Sequence, residues 1–203
     1  LGLISKKEIF IIFLVLSIIN ISLLFFLNTK VIYIACAAII FIILYPLTKR
    51  FFKAPQIFLG ITFALSTLMA YSAVKDVYPD IITWVVFFAT IIWVTMFDTI
   101  YAISDKDDDV KIGINSTAIL FGEKDKMIIA ILQSTFYSIF AIFGYLNGYS
   151  YIFFTFLILA IAVGIYNQVL IRNRHSEFCI MAFKNNQYIG LLIFLGIYGE
   201  YIL

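Results

Sequence analysis

"IITWVVFFATIIWVTMFDTIYAISDKDDDVKIG", residues 81–113, opens as an apolar run and closes as an acidic one. Residues 81–103 are long enough to cross a bilayer, which takes about 20 predominantly apolar residues. The segment then carries five aspartates, Asp98, Asp105, Asp107, Asp108 and Asp109, within a twelve-residue window. Backbone N–H and C=O groups in lipid must be satisfied within the segment itself, so the apolar part must be a helix. Barrel strands would instead show runs of about 10 residues with alternating character, a pattern absent from this sequence.

The rest of the chain has the same composition. Hydrophobic residues make up 64% and charged residues 13%, against about 45–50% and about 25% in soluble domains. A water-soluble fold cannot hide so much apolar surface. Further candidate spans lie at 9–27, 31–48, 57–74, 127–146, 150–171 and 188–203, which predicts an all-α bundle of seven transmembrane helices in one domain over 1–203. A net charge of +2 is too small to point to a nucleic-acid partner, and no pattern points to a protein partner. Cys36 and Cys179 lack metal-ligand or pairing spacing and read as free thiols, and His175 reads as a solvated side chain. The opening "LGLISKKE" is a polar lead-in with no signal-peptide character.

Lysine and arginine set the orientation. Twelve of the fourteen basic residues fall in the N-terminal lead-in and in the connections after the second, fourth and sixth spans. The opposite side holds Lys30 and Lys75 alone. The richer side is expected to be cytoplasmic, and the two long connections, 104–126 and 172–187, lie on it.

At about 100° per residue, Asp98, Asp105 and Asp109 fall within about 40° of one another on a helix, with Tyr101 about 60° away. They share a face if the fourth helix continues past the membrane surface, and Asp107 and Asp108 then point elsewhere. Asp105 and Asp109, one turn apart, suit Mg²⁺, which takes one or two carboxylates, waters and substrate phosphates. A carboxylate as deep as Asp98 costs about 2.5–3.5 kcal/mol, so it is expected to face a polar cavity. A calcium-loop reading of "DKDDD" fails, because Val110 and Ser116 stand where that loop needs glycine and glutamate. A second cluster, "YPLTKR" (45–50), stacks Tyr45 over Lys49 at i,i+4 and adds Arg50. Basic residues flank cytoplasmic helix ends in many membrane proteins, so phosphate binding and simple anchoring both remain open for this cluster. Together the clusters suit a substrate with a diphosphate head and a long apolar tail.

At "YPLTKR", "PQIFLG", "DTIYAISDKDDDVKIGINSTAILFG" and "AFKNNQYIGLLIFLG" the sequence resembles the UbiA superfamily of intramembrane aromatic prenyltransferases. It looks closest to the 4-hydroxybenzoate branch of ubiquinone biosynthesis. The resemblance implies a nine-span helical fold in the bacterial inner membrane. It implies Mg²⁺ as cofactor, with polyprenyl diphosphate and 4-hydroxybenzoate as substrates. It further implies metal binding by Asp105 and Asp109, Asp98 and Tyr101 leading into that motif, and diphosphate binding by Tyr45, Lys49 and Arg50. The family's first motif, N-D-x-x-D-x-x-x-D, does not occur in these 203 residues. The expectation is therefore an N-terminally truncated chain that is inactive alone. The implied reaction is prenylation of the ring carbon ortho to the phenol hydroxyl. The alternatives are a prenyltransferase of another quinone or heme pathway, or a cation-coupled transporter with Asp98 as an intramembrane ion site. Prenyl chain length, general base and oligomeric state have no signature in the residues.

Overall fold

The computed structural model describes residues 4–202 of the chain. Among them there are eight α-helices and no strands: α1 (Lys6–Leu24), α2 (Thr29–Phe51), α3 (Pro55–Lys75), α4 (Ile81–Ile112), a short α5 (Thr117–Phe121), α6 (Asp125–Leu146), α7 (Tyr151–Leu170) and α8 (Ser176–Ile202). Seven helical segments are long and apolar enough to cross a membrane, with α5 and α6 contributing to one of them. The protein is a multi-pass membrane helix bundle.

Local chemistry sets most helix starts. The first N–H groups of a helix have no intrahelical partner, which a side-chain oxygen can supply. Ser5 and Glu8 form a reciprocal capping box at α1. Asn28, Asp80, Ser116 and Ser150 accept from the first turns of α2, α4, α5 and α7. Glu200 of α8 reinforces the last of these, accepting from the Ser150 and Phe153 amides at 2.9 and 3.1 Å. Lys30 pairs with Asp76 at 2.8 Å at the same end, tying the start of α2 to the end of α3.

α4 is the central element and packs on α3, α5, α6 and α8, while α2 packs on the outer side of α3. One core joins α4, α6, α7 and α8 through Ala89, Phe136, Phe140, Phe153, Leu157 and Ile189. A second, around Met96, Ile100, Ile129, Ile171 and Ala182, lies towards the basic end. A smaller one joins α3 to α4 through Ala64, Leu65, Leu68 and Phe87. α3 and α4 touch at Gly60, where a Cβ would lie 2.9 Å from the Ile91 carbonyl oxygen. Outer faces carry exposed apolar side chains such as Phe63, Ile142 and Ile158, as expected where lipid is the solvent.

Two expectations about connections are corrected. Residues 104–126 are not one long loop, because α4 continues to Ile112 and α5 begins at Thr117. With 32 residues at 1.5 Å each, α4 is about 48 Å long, well beyond a hydrocarbon core of about 30 Å. Residues 172–187 are likewise mostly helix, since α8 begins at Ser176 rather than 188. The polar residues of that stretch had suggested a loop. Instead Asn185 and Asn186 face neighbouring helices: Asn185 Nδ2 donates to Asn167 Oδ1 at 3.1 Å, and Asn186 is buried. Polar side chains of this kind bridge helices in membranes.

Candidate active site

The end of α2, the start of α3 and the second half of α4 enclose a cleft of about 100 Å³. Its lining comprises Tyr45, Lys49, Gln56, Asp98, Tyr101, Ala102, Asp105 and Asp109. Spacing explains the set. α4 stays helical through the acidic segment, so Asp98, Asp105 and Asp109 repeat on one face, and Tyr101 lies beside them. Asp107 and Asp108 turn outward, where Asp108 is neutralised locally by Lys111 at 2.9 Å. α2 runs unbroken through Pro46, which keeps Tyr45 one turn from Lys49, with the Lys49 ammonium 5.9 Å from the Tyr45 ring centre.

Arg50 departs from the expectation. It follows Lys49 by about 100° of helix rotation, is exposed, and does not line the cleft.

The turn after α4 holds the two walls together. Gly113 adopts φ +71°, the left-handed conformation that ends a helix without a Cβ clash. The Ile114 amide then reaches back to the Asp109 carbonyl at 3.0 Å. The next residue, Asn115, donates both its backbone N–H, at 2.9 Å, and its side-chain amide, at 3.2 Å, to the Lys49 carbonyl. That carbonyl belongs to the last turn of α2, where it has no intrahelical partner. One step further, the Thr117 amide donates to Gln56 Oε1 at 2.9 Å, and the Thr117 and Thr99 hydroxyls meet at 2.7 Å. The chain leaving the acidic helix therefore ties α2, α3 and α4 at the level of the cleft.

Gln56 and Asn115 were not anticipated as site residues. Gln56 is 2% exposed and its amide orientation is fixed by the Thr117 bond, which leaves its NH₂ end for the cleft. Its sequence signals were a polar residue immediately after the proline that starts α3 and its place in the "PQIFLG" stretch of the family resemblance, neither of which assigned it a role.

Three carboxylates face one ammonium, and among the described residues Lys49 makes no direct ion pair with them. No three carboxylate, thiol or imidazole side chains among the described residues converge closely enough to cage a metal ion. A cleft of this kind, acidic on one wall and basic on the other, suits a metal-bound polyanion better than a bare anion.

The UbiA prenyltransferase family profile matches residues 1–192. The chain belongs to the UbiA prenyltransferase family. Among curated relatives of this UbiA chain, 4-hydroxybenzoate octaprenyltransferase of Citrobacter koseri is 42% identical over 201 residues, covering 99% of this chain and 69% of that protein. The enzyme of the same name from Klebsiella pneumoniae gives the same figures. Among solved structures, the apo form of a UbiA homolog from Aeropyrum pernix matches with a TM-score of 0.79 at 24% identity, covering 97% of this chain and 74% of that one. A digeranylgeranylglyceryl phosphate synthase matches with a TM-score of 0.71 at 18% identity, covering 99% of this chain and 72% of that one. These two likenesses establish the UbiA fold for the bundle, independently of the acidic motif.

A second group of charges at the same end belongs to the scaffold. Asp125, at the start of α6, is fully buried and accepts from Arg174 Nε and Nη2, both at 2.8 Å. Arg174 lies in the turn between α7 and α8, and its side-chain hydrogen bonds to Asp125 push its pKa further above its already high ordinary value. Cys179 is buried, Cys36 is exposed, both are free thiols, and His175 is exposed.

Proposed function

We propose that this protein transfers a polyprenyl group from polyprenyl diphosphate to the ring carbon ortho to the hydroxyl of 4-hydroxybenzoate, its 3-position, in ubiquinone biosynthesis. The observation that carries the reading is the convergence of Asp98, Asp105, Asp109, Lys49 and Tyr45 on one cleft at the end of an apolar bundle. The 42% identity to relatives named 4-hydroxybenzoate octaprenyltransferase supports the choice of acceptor.

Asp105 and Asp109 offer oxygen donors only, and two carboxylates leave coordination positions open for diphosphate oxygens, so the residues fit Mg²⁺. Bound there, Mg²⁺ would neutralise charge on the leaving group. Lys49, on the opposite wall, places an ammonium against the same charge, and electrostatic stabilisation of this type is often the largest single catalytic contribution. Tyr45 and Tyr101 set the width of the cleft, and Gln56 presents amide N–H donors to phosphate oxygens. Asp98, deepest of the three carboxylates, positions the complex.

The prenyl C–O bond breaks with its electron pair leaving on the diphosphate, and the allylic cation forms in an apolar, aromatic surrounding that keeps water away. The electron-rich ring carbon then forms the new C–C bond, and the proton it carried is lost. The basic-residue asymmetry supports placing the cleft on the cytoplasmic face of a bacterial inner membrane, where a water-soluble acceptor arrives from one side and the prenyl tail lies within the bilayer.

The test is Asp105→Ala and Asp109→Ala in the full-length protein, assayed in membranes with polyprenyl diphosphate, 4-hydroxybenzoate and Mg²⁺. Each is expected to abolish transfer while membrane insertion and thermal stability stay unchanged. Wild-type turnover in either variant would remove these carboxylates from the reaction.

A further inference from the structure

Most of the acidic cleft is charged, and one side of it is aromatic. Of its lining residues only Tyr45, Tyr101 and Ala102 carry neither a charge nor an amide. Tyr45 already lies beside a cation, the Lys49 ammonium, 5.9 Å from its ring centre. Tyr101 is 39% exposed and continues into a run of rings. Its ring centre is 5.1 Å from that of Phe183, Phe183 is 5.7 Å from Phe97, and Phe97 is 5.4 Å from Trp93. Tyr101, Phe97 and Trp93 follow one another at i,i+4 along α4 and so form one stripe. Phe183, from α8, touches the first two.

The stripe is reachable. Trp93, Phe97 and Phe183 are half-buried and line a groove of about 290 Å³ between α4 and α8, whose one charged lining residue, Lys184, is exposed. The ring contacts are tilted or edge-on, at 53°, 62° and 77°, so no two of these four rings are stacked face to face. Only Trp93 has a stacked neighbour, Phe136 at 23°, on the deep side of the run. An aromatic face carries the negative part of the ring quadrupole and attracts a cation within about 6 Å of the ring centre.

Prenyl transfer generates such a cation. As the C–O bond breaks, the electron pair leaves on the diphosphate, and positive charge spreads over the first and third carbons of the chain. Those carbons start next to the cleft, and the stripe is the apolar surface continuous with it through Tyr101. Water or a bare carboxylate in contact with the cation would capture it by forming a bond. A ring face stabilises the same charge without bonding to it, and does so best where water is excluded.

We propose that Tyr101 and Phe183 seat the allylic cation, with the first isoprene units of the chain lying along Phe97 and Trp93 in the groove. Phe183 is then a catalytic residue supplied by α8, an element that contributes nothing to the lining of the acidic cleft. The inference rests on the transfer reading above, and deepens it by naming the side chains that face the reacting carbon.

The test changes the charge distribution of the ring and leaves its shape. Phenylalanines bearing one, two and three fluorines are placed at position 183 of the full-length protein in lipid nanodiscs, beside Phe183→Leu. The single-turnover rate of prenyl transfer is expected to fall with each fluorine, and by about thirtyfold in Phe183→Leu, the equivalent of one desolvated cation–π contact. Affinity for polyprenyl diphosphate itself is expected to change by less than about twofold, because the lost interaction exists only once charge develops. A second readout needs no turnover: binding of a prenyl dimethylammonium, with inorganic diphosphate and Mg²⁺ present, against its neutral isostere with carbon in place of nitrogen. The ammonium is expected to weaken along the fluorine series and the isostere to hold constant. In a wild type that transfers, a series that leaves either the rate or the ammonium affinity flat overturns the proposal, and the transfer reading stands. If wild type transfers no prenyl group, a falling ammonium series keeps the cation seat and drops the transfer reading, and a flat one drops both.

Discussion

Asp125 and Asp109 lie at the same end of the bundle, each close to a basic residue, and they are satisfied in opposite ways. Asp125 is fully buried, with Arg174 donating to both its oxygens at 2.8 Å and the Lys126 amide adding a third bond at 2.6 Å. Asp109 is half-buried on the wall of an open cleft, where it shares Lys49 with Asp98 and Asp105 and makes no direct ion pair among the described residues. A buried carboxylate with three of its roughly four lone pairs committed to the scaffold holds structure together. One without an ion pair, in a group of three against a single ammonium, is stabilised by whatever cation arrives. The contrast separates scaffold from site more sharply than conspicuousness in the sequence, since a lone Asp125 attracts no attention there.

The largest way to break the contrast is to exchange its outcomes. Asp125→Ala takes the buried partner from the Arg174 guanidinium, which is partly exposed and keeps Glu123 at 3.2 Å, so the cost should fall below the roughly 3–5 kcal/mol of breaking a fully buried pair. The expectation is a large fall in thermal stability of the solubilised protein, with the transfer rate of the remaining folded fraction close to wild type. Asp109→Ala should do the opposite. Asp125→Leu combined with Arg174→Met sharpens the point, because replacing both members of a buried pair by apolar residues is often neutral or stabilising. Recovery of most of the lost stability in the double variant is expected. If Asp125→Ala instead abolished activity at unchanged stability, Asp125 would belong to the site and the division would fail.

A smaller contrast lies within α2. Lys49 lines the cleft and Arg50, the next residue, does not. Lys49→Ala is expected to raise the KM for polyprenyl diphosphate by about ten- to a hundredfold, in line with the loss of a charge-assisted contact. Arg50→Ala should change it by less than about twofold, the usual scale for an exposed charge. Steady-state kinetics on both variants at fixed acceptor concentration decide it, and equal effects would restore Arg50 to the binding set.

How far the sequence disclosed this arrangement depended on the range of the signal. The seven spans were readable because each is a local property of about 20 residues. The face shared by Asp98, Asp105 and Asp109, and the pairing of Tyr45 with Lys49, were readable because helical geometry fixes neighbours three, four, seven and eleven residues apart. The start of α8 was not, because Asn185 and Asn186 look like loop residues until the packing that bonds the first to α7 and buries the second is known. That Arg50 lies outside the cleft lining has a related reason, since adjacency in sequence is nearly a right angle on a helix. The Asp125–Arg174 pair, 49 residues apart, and the Gln56–Thr117 bond, 61 apart, have no local signature at all. Tertiary contacts of that separation are properties of the packed bundle, and in the cleft they decide which polar residues can act.

Asn115 tests whether such a contact matters to the chemistry. Its backbone and side-chain N–H groups both end on the Lys49 carbonyl, so it touches no substrate and acts only by fixing where α2 ends relative to the acidic helix. Asn115→Ala removes the side-chain bond and keeps the backbone one, so the turn should still close and stability should fall by about 1 kcal/mol, the net contribution of an ordinary hydrogen bond. Reacting groups tolerate little displacement. The Lys49 ammonium, freed to drift from Asp105 and Asp109, should therefore raise the KM for polyprenyl diphosphate about five- to tenfold. The effect should vanish in a Lys49→Ala background, because a positioning residue has nothing to position once its target is gone. A double-mutant cycle reads this directly. Additive effects of the two substitutions would show that Asn115 contributes through general stability, and that the turn after α4 holds the bundle together without setting the geometry of the cleft.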